Sequence, residues 1–295
     1  MSTATWIGAA IGAVILLRLF LYDRIEEKLR RRQENEGRPS CDGDWLRARV
    51  KELLEPSLLL VPGGPDKRSK LGGDPDLPSG VDRPTRAGPA LAFLAQVDLT
   101  EARASDGPAW LPDRGGLFAF YDPEALGGPD VVQILYTLEP PGASGVAGSA
   151  PRFPERRIAF QRVISAPNRL WLGVDHHHVH DDNPGAWEEI IRSVDAPPND
   201  TLQHRVGGYP NEIQDEQIPL VCEHVLEGLR PPPYQLEVTP ELEQAADTWR
   251  LLLQIDSDPA LGMSWGDGGR LYVFVRREDA MAADFSKTVP LWQTY

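Results

Sequence analysis

Two short patterns in this chain hold the residue types that acid–base or metal chemistry needs. Gln96-x-Asp98 closes the apolar run Leu91–Asp98, and Gln254-x-Asp256 closes Arg250–Asp256. Residues two apart on a strand share a face, so each pair offers a carboxamide and a carboxylate side by side. If a pseudo-twofold arrangement carried Asp98 and Asp256 to one cleft, their proton affinities would split, or a divalent cation would sit between them. Asp258 and Asp267 would add acids to that site. The activity implied is a cation-dependent hydrolase, although the Gly and Glu spacing of a calcium loop is missing. The alternative is architectural. Each unmet buried polar group costs about 1–3 kcal/mol. Each pair would then be fully hydrogen-bonded and would tie the nearby Gly-Gly turn to its strand, with Leu94 and Leu252 on the same face.

Lys70 and Arg205 stand just before Gly72-Gly73 and Gly207-Gly208. They either neutralise those carboxylates or face a ligand. Paired glycines can cradle an anion with backbone N–H groups, but no Gly-x-x-x-x-Gly-Lys-Ser/Thr pattern is present and Asp74 would repel phosphate. Turn glycines with positive φ are the plainer reading. A third cluster is His176-His177-His178-Val-His180. On extended backbone His176, His178 and His180 share a face suited to zinc. His178-Val-His180-Asp-Asp182 approaches the His-x-His-x-Asp-His pattern of metallo-β-lactamase hydrolases, but Asn183 replaces the last histidine. A solvated loop is the alternative there. No nucleophile stands beside a base at catalytic spacing, and no cofactor is named.

The elements that would carry these residues recur in a fixed order. Lys70-Leu-Gly-Gly-Asp-Pro75 precedes the first Gln-x-Asp, and Arg205-Val-Gly-Gly-Tyr-Pro210 precedes the second. Each Gln-x-Asp is followed by a Gly-Gly pair that opens an apolar strand, Gly115-Gly116 and Gly268-Gly269. Order of this kind points to an internal duplication. Its spacing varies, 23 residues from Gly73 to Gln96 and 46 from Gly208 to Gln254, so the copies are elaborated rather than solenoid repeats. Alternating or continuous apolar runs predict strands at 90–98, 116–122, 131–138, 157–164, 169–174, 249–256 and 270–276. Helical spacing predicts helices at 45–54, from Asn183-Pro184 to Ile191, and near 217–228, 239–248 and 278–284. Residues 62–89 and 139–154 read as loops. The fold class is α+β and β-rich, with two pseudo-equivalent halves, about 44–195 and 196–295, packed into one compact domain.

The amino terminus is different material. Residues 4–22 carry one charge, Arg18, and are flanked by Trp6 and Tyr22, the pattern of a short membrane-spanning helix. Five basic residues follow at 24, 28, 30, 31 and 32, with no small-residue cleavage site. The positive-inside rule then places the domain in the cytoplasm on the inner membrane. This gives an anchor over 1–23 and a basic segment and linker over 24–43. Formal net charge is −14, which speaks against nucleic acid as a partner. Two cysteines, Cys41 and Cys222, make no disulfide framework and fit a reducing compartment.

Six motifs in order resemble one known family. They are Lys70-Leu-Gly-Gly-x-Pro-x-Leu-Pro78, Leu91-x-Phe-Leu-x-Gln-x-Asp98, Gly116-Leu-x-x-Phe-Tyr121, Gly207-Gly-Tyr-Pro210 with Gln214, Leu253-Gln-Ile-Asp-Ser-Asp258, and Trp265-Gly-Asp-x-Gly269. Over about residues 60–290 the chain resembles the YwqG-like family, a bacterial family of unknown function. Arg83-Pro84 stands where that family has Trp-Pro. The resemblance implies a compact, β-rich, internally duplicated domain and supplies no catalytic residues. The function expected is a membrane-anchored binding or interaction module for a protein or small molecule, without catalysis. Its ligand-binding candidates are Lys70, Gln96, Asp98, Arg205, Gln254, Asp256, Asp258 and Asp267.

Overall fold

The computed structural model describes residues 43–86, 90–123, 131–142, 153–167, 202–214, 218–226 and 240–295, with isolated positions at 185–192 and 228. The expected anchor, Cys41, the strand at 169–174, the helix start at Asn183-Pro184 and the histidines His176, His178 and His180 lie outside the described residues. Within them, no helix is long and apolar enough to cross a membrane.

Ten strands form one antiparallel sheet. In chain order they are β1 (Glu55–Pro62), β2 (Lys70–Leu71), β3 (Ala92–Asp98), β4 (Gly116–Tyr121), β5 (Val132–Thr137), β6 (Arg156–Ser165), β7 (Arg205–Val206), β8 (Trp249–Asp256), β9 (Arg270–Arg276) and β10 (Val289–Gln293). Their order across the sheet is β10-β9-β8-β7-β1-β6-β2-β3-β4-β5. The long β1–β6 pair, in register from Glu55↔Ser165 to Pro62↔Ile158, is the spine. Four strands run out from each side of it. The sheet curls until its ends nearly meet: the Tyr136 ring on β5 lies 5.7 Å from Phe285, just before β10.

Curling places side chains of β1 to β9 in one interior core. Leu58 and Leu60 of β1 share it with Val97, Leu117, Ile158, Ile255, Leu271 and Val273. The outer face is covered differently on the two sides. Helix α3 (Ile218–Leu226) lays Ile218, Cys222 and Val225 over Trp249, Leu251, Tyr272 and Phe274; its apolar residues fall at i, i+4 and i+7, one helical stripe. Over β3 and β4 the cover is the turn-rich segment 72–86 together with Leu91; Leu77 and Leu91 pack on Phe93, Phe118 and Phe120. Helix α1 (Gly43–Leu53) buries Leu46 and Val50 against Ala166 and Ile190. The remaining helices are short: α2 (Leu99–Ala104), α4 (Pro240–Ala246) and α5 (Arg277–Met281).

One expectation is corrected. Strict alternation put Leu94 with Gln96, and Leu252 with Gln254. Each strand instead has a β-bulge, between Phe93 and Ala95 on β3 and between Leu251 and Leu253 on β8. The extra residue turns Leu94 and Leu252 into the interior core, beside Ala95 and Leu253. The glutamines face outward with Phe93 and Leu251 instead.

The backbone pattern repeats across the spine. Lys70 pairs with Gln96, and Arg205 with Gln254. Gln96 then faces Phe118, and Gln254 faces Tyr272. Gly72, Gly73, Gly207 and Gly208 all take φ between 62° and 75°.

Candidate functional site

The sequence candidates fall into two outward-facing polar clusters built to the same plan. In the first, Gln96 is fully buried. Its Nε2 donates to the Arg68 carbonyl at 2.6 Å, and its Oε1 accepts from Asp76 N–H at 2.9 Å. In the second, Gln254 Nε2 donates to the Gln203 carbonyl at 3.1 Å and Oε1 accepts from Asn211 N–H at 2.9 Å. Each glutamine therefore staples the chain entering and leaving a Gly-Gly turn. The neighbouring strand amide is met in the same place: Asp98 N–H donates to Ser69 Oγ, and Asp256 N–H to His204 Nδ1.

The carboxylates have local work. Asp98 caps α2, accepting from Thr100 and Glu101 N–H at 2.8 and 3.1 Å. Its second oxygen is in ion-pair contact with Arg68 Nε at 2.5 Å. Asp256 accepts from Gln203 N–H and from Gln254 Nε2, both at 2.9 Å, and pairs with Arg270 Nε at 3.2 Å. Four strands, β7, β1, β6 and β2, separate β8 from β3, about 24 Å along a sheet spaced near 4.8 Å. Asp98 and Asp256 share no partner. The structure does not bring them together.

Lys70, 2 % exposed, is held by Asp76 Oδ1 and Glu155 Oε2, each at 3.0 Å. Arg157 closes the ring through Asp76 at 3.3 Å and Glu155 at 2.9 Å. Arg205 is fully buried and donates to the Tyr209 carbonyl at 3.1 Å and to Gln203 Oε1. Asp258 caps the short turn Pro259–Leu261 through Ala260 N–H, and joins Arg156 at 2.5 Å and His204 Nε2 at 3.4 Å. Burial alone would raise the Asp258 carboxyl, but the Arg156 hydrogen bond and charge outweigh it and hold it below the ordinary range. Burial lowers His204, against the opposing pull of Asp256 and Asp258 and with Arg156 adding to the fall. The neutral ring accepts at Nδ1 from Asp256 and donates from Nε2 toward Asp258. Asp267 is exposed on the Gly266–Gly268 turn, and among the described residues only its carbonyl is used, by Tyr295 N–H at 3.2 Å. Among the described residues, no three His, Cys, Asp or Glu side chains group to hold a metal ion.

Several members of these clusters escaped the sequence reading. Glu101 accepts from Arg68 N–H and from Ser69 N–H and Oγ. The spacing Asp98-x-x-Glu101 is that of a helix-capping pair and signals both α2 and this residue. Ser69, Gln203 and His204 carry no comparable signal.

A separate feature is a cleft of about 560 Å³ at the seam where the sheet nearly closes, within the range of ligand sites. One wall is β5, through Val132, Gln133, Ile134 and Tyr136; the other is Phe285, Ser286 and Thr288, with Thr85, Arg86 and Leu91 at its side. Arg86 reaches Asp122 at 3.2 Å there. The lining mixes hydroxyls, a carboxamide and aromatic rings.

A nearly closed antiparallel sheet with outward polar staples and a seam cleft defines a β-rich α+β domain. The matching family is described as a domain of unknown function, DUF1963, over residues 69–294, and the chain belongs to it. Comparison with curated proteins returns no significant match.

Proposed function

We propose that the chain is a non-catalytic binding module, tethered to the inner membrane through residues 4–22 with its domain in the cytoplasm, and that its two halves are copies of one unit in a YwqG-like branch of the family. One observation carries the functional reading. Seven of the eight candidates (Lys70, Gln96, Asp98, Arg205, Gln254, Asp256 and Asp258) spend their polar atoms on backbone staples, caps and closed ion pairs. Groups so occupied hold loops in place and leave binding to the seam cleft. The repeated register around Gln96 and Gln254 supports common descent of the halves. The single-charge apolar run and the basic residues after it support the tether.

Native mass spectrometry with elemental analysis, on untagged full chain purified without added metal, tests the functional reading. The expected result is less than one metal ion per chain. Stoichiometric metal that disappears in Asp98→Asn plus Asp256→Asn would replace it with a cation-dependent hydrolase. A carboxy-terminal reporter active in the periplasm would overturn the orientation.

A further inference from the structure

The Asp122 N–H bonds the Val131 carbonyl at 3.0 Å, which fixes the parity of the last ladder. In an antiparallel pair, bonded and non-bonded positions alternate. The β4–β5 register runs without a bulge from Gly116↔Thr137 to Tyr121↔Val132. Val131, Gln133, Leu135 and Thr137 therefore turn their backbone groups to β4. Val132, Ile134 and Tyr136 turn theirs to the open edge, and these three line the seam cleft. Among the described residues nothing bonds them there. Exposed edges are commonly blunted by proline, lysine or bulges; β5 has none of these. The opposite edge strand, β10, carries Pro290 and is bound through the Gln293 side chain to Ile213 and Gln214 N–H.

We propose that β5 takes up an extended peptide segment of a partner protein, which adds a strand at the seam through the N–H and C=O groups of Val132, Ile134 and Tyr136. The proposal rests on the binding-module reading and names its ligand class. The paired stretch is five residues, about 13 Å. Main-chain bonds supply affinity, as in other strand-addition sites, and side chains on one face meet Phe285, Ser286 and Thr288. The chain's net charge of −14 favours encounter at low salt with segments flanked by lysine or arginine over acidic ones. No proline is tolerated in the partner at the paired positions.

The test is fluorescence anisotropy of a labelled probe, Lys-Thr-Val-Thr-Val-Thr-Lys, against the full chain in detergent. Saturable binding is expected, and a Glu-flanked version should bind more weakly at low salt. Ile134→Ala keeps the edge N–H and should keep binding. Ile134→Pro deletes that donor without touching the β4 ladder and should weaken binding at least about tenfold. Should that variant not fold, the probe N-methylated at alternate amides reads the same bonds on the unaltered protein and should not bind. No binding at about 1 mM, or equal binding by the N-methylated probe, overturns the proposal. So does a concentration-dependent dimer lost in Ile134→Pro, which would assign the edge to a second copy. A small molecule retained in native mass spectrometry and lost in Tyr136→Ala would overturn the peptide and keep the module; stoichiometric metal would remove the module itself.

Discussion

At equivalent register the first half places Ser69, Lys70 and Asp76 where the second places His204, Arg205 and Asn211. Both sets surround a glutamine that makes the same two backbone bonds. In the first half the buried cation meets two carboxylates, Asp76 and Glu155, and the ring opens toward solvent at Glu155, 40 % exposed. In the second the cation is fully enclosed and meets a carbonyl and a carboxamide, while charge gathers one step away at Asp258, Arg156 and His204. The staple is thus the part each half needs to hold its Gly-Gly turn. The surrounding charges are replaceable ways of filling the remaining hydrogen bonds. The difference teaches that charge alone does not mark a reactive centre here.

The comparison can be broken at the glycines first. A Cβ on Gly208 would lie 2.3 Å from Ser165 Oγ and 2.6 Å from Ser57 Cβ, while one on Gly73 would meet the Glu155 side chain at 2.7 Å. Ser57 and Ser165 are pinned by bonds to Gly207 and Glu55 carbonyls; at Gly73 the outer Glu155 arm can turn away, and only its Cβ, at 2.9 Å, must shift by a few tenths of an ångström. Gly208→Ala is expected to cost about 2–5 kcal/mol, combining positive-φ strain and overpacking. Gly73→Ala should cost about 1–2 kcal/mol, chiefly the strain. Denaturant melts measure both, and equal losses would erase the distinction.

Gln96→Leu and Gln254→Leu come next. Each strands a part-buried N–H and a carbonyl, so each is expected to cost about 1–3 kcal/mol. Calorimetry giving a large loss for only one of them would show that the staples are not equivalent.

Acid separates the halves more gently. His204 has a lowered folded-state pKa, so below about 6.5 the unfolded chain binds its proton first and stability falls with falling pH. The window runs from that unfolded value down to the folded one. Ser69 offers the first half no such proton. His204→Ser should flatten the pH slope by up to one proton, about 1.4 kcal/mol per pH unit, and a slope unchanged by the substitution would contradict the assignment. Asp258, lowered by Arg156, adds a loss only under about 3.9, its unfolded value. The smallest effect is at Glu155: Glu155→Gln should cost no more than about 1 kcal/mol and less in high salt, as its exposure dictates. A larger loss would mean the open ring is as stiff as the closed one.

Much of the long β structure was legible. Strands at 92–98, 116–121, 249–256 and 270–276 fall where apolar runs end in Gln-x-Asp or begin after Gly-Gly. What escaped has physical reasons. Lys70-Leu71 and Arg205-Val206 are two-residue strands, too short to carry a period. The strand Glu55–Pro62 is a continuous apolar run directly after a helix, and Pro290 disguises β10. The bulges were hidden because Leu94-Ala95 and Leu252-Leu253 are all apolar, so no polarity break marks the extra residue. For the site, the glutamines and aspartates were identifiable by type. Their separation across the sheet depends on the central β1–β6 pair, which joins positions about 100 residues apart and leaves no local trace.

The central claim is that Gln96 and Gln254 are the same structural device. Hydrogen exchange at the Asp76 and Asn211 amides, read in the full chain and in Gln96→Leu and Gln254→Leu, tests it most directly. The account expects both amides protected in the unaltered protein, with Asp76 alone released by the first substitution and Asn211 alone by the second. An amide already open in the unaltered chain, or still protected after its glutamine is gone, would contradict it.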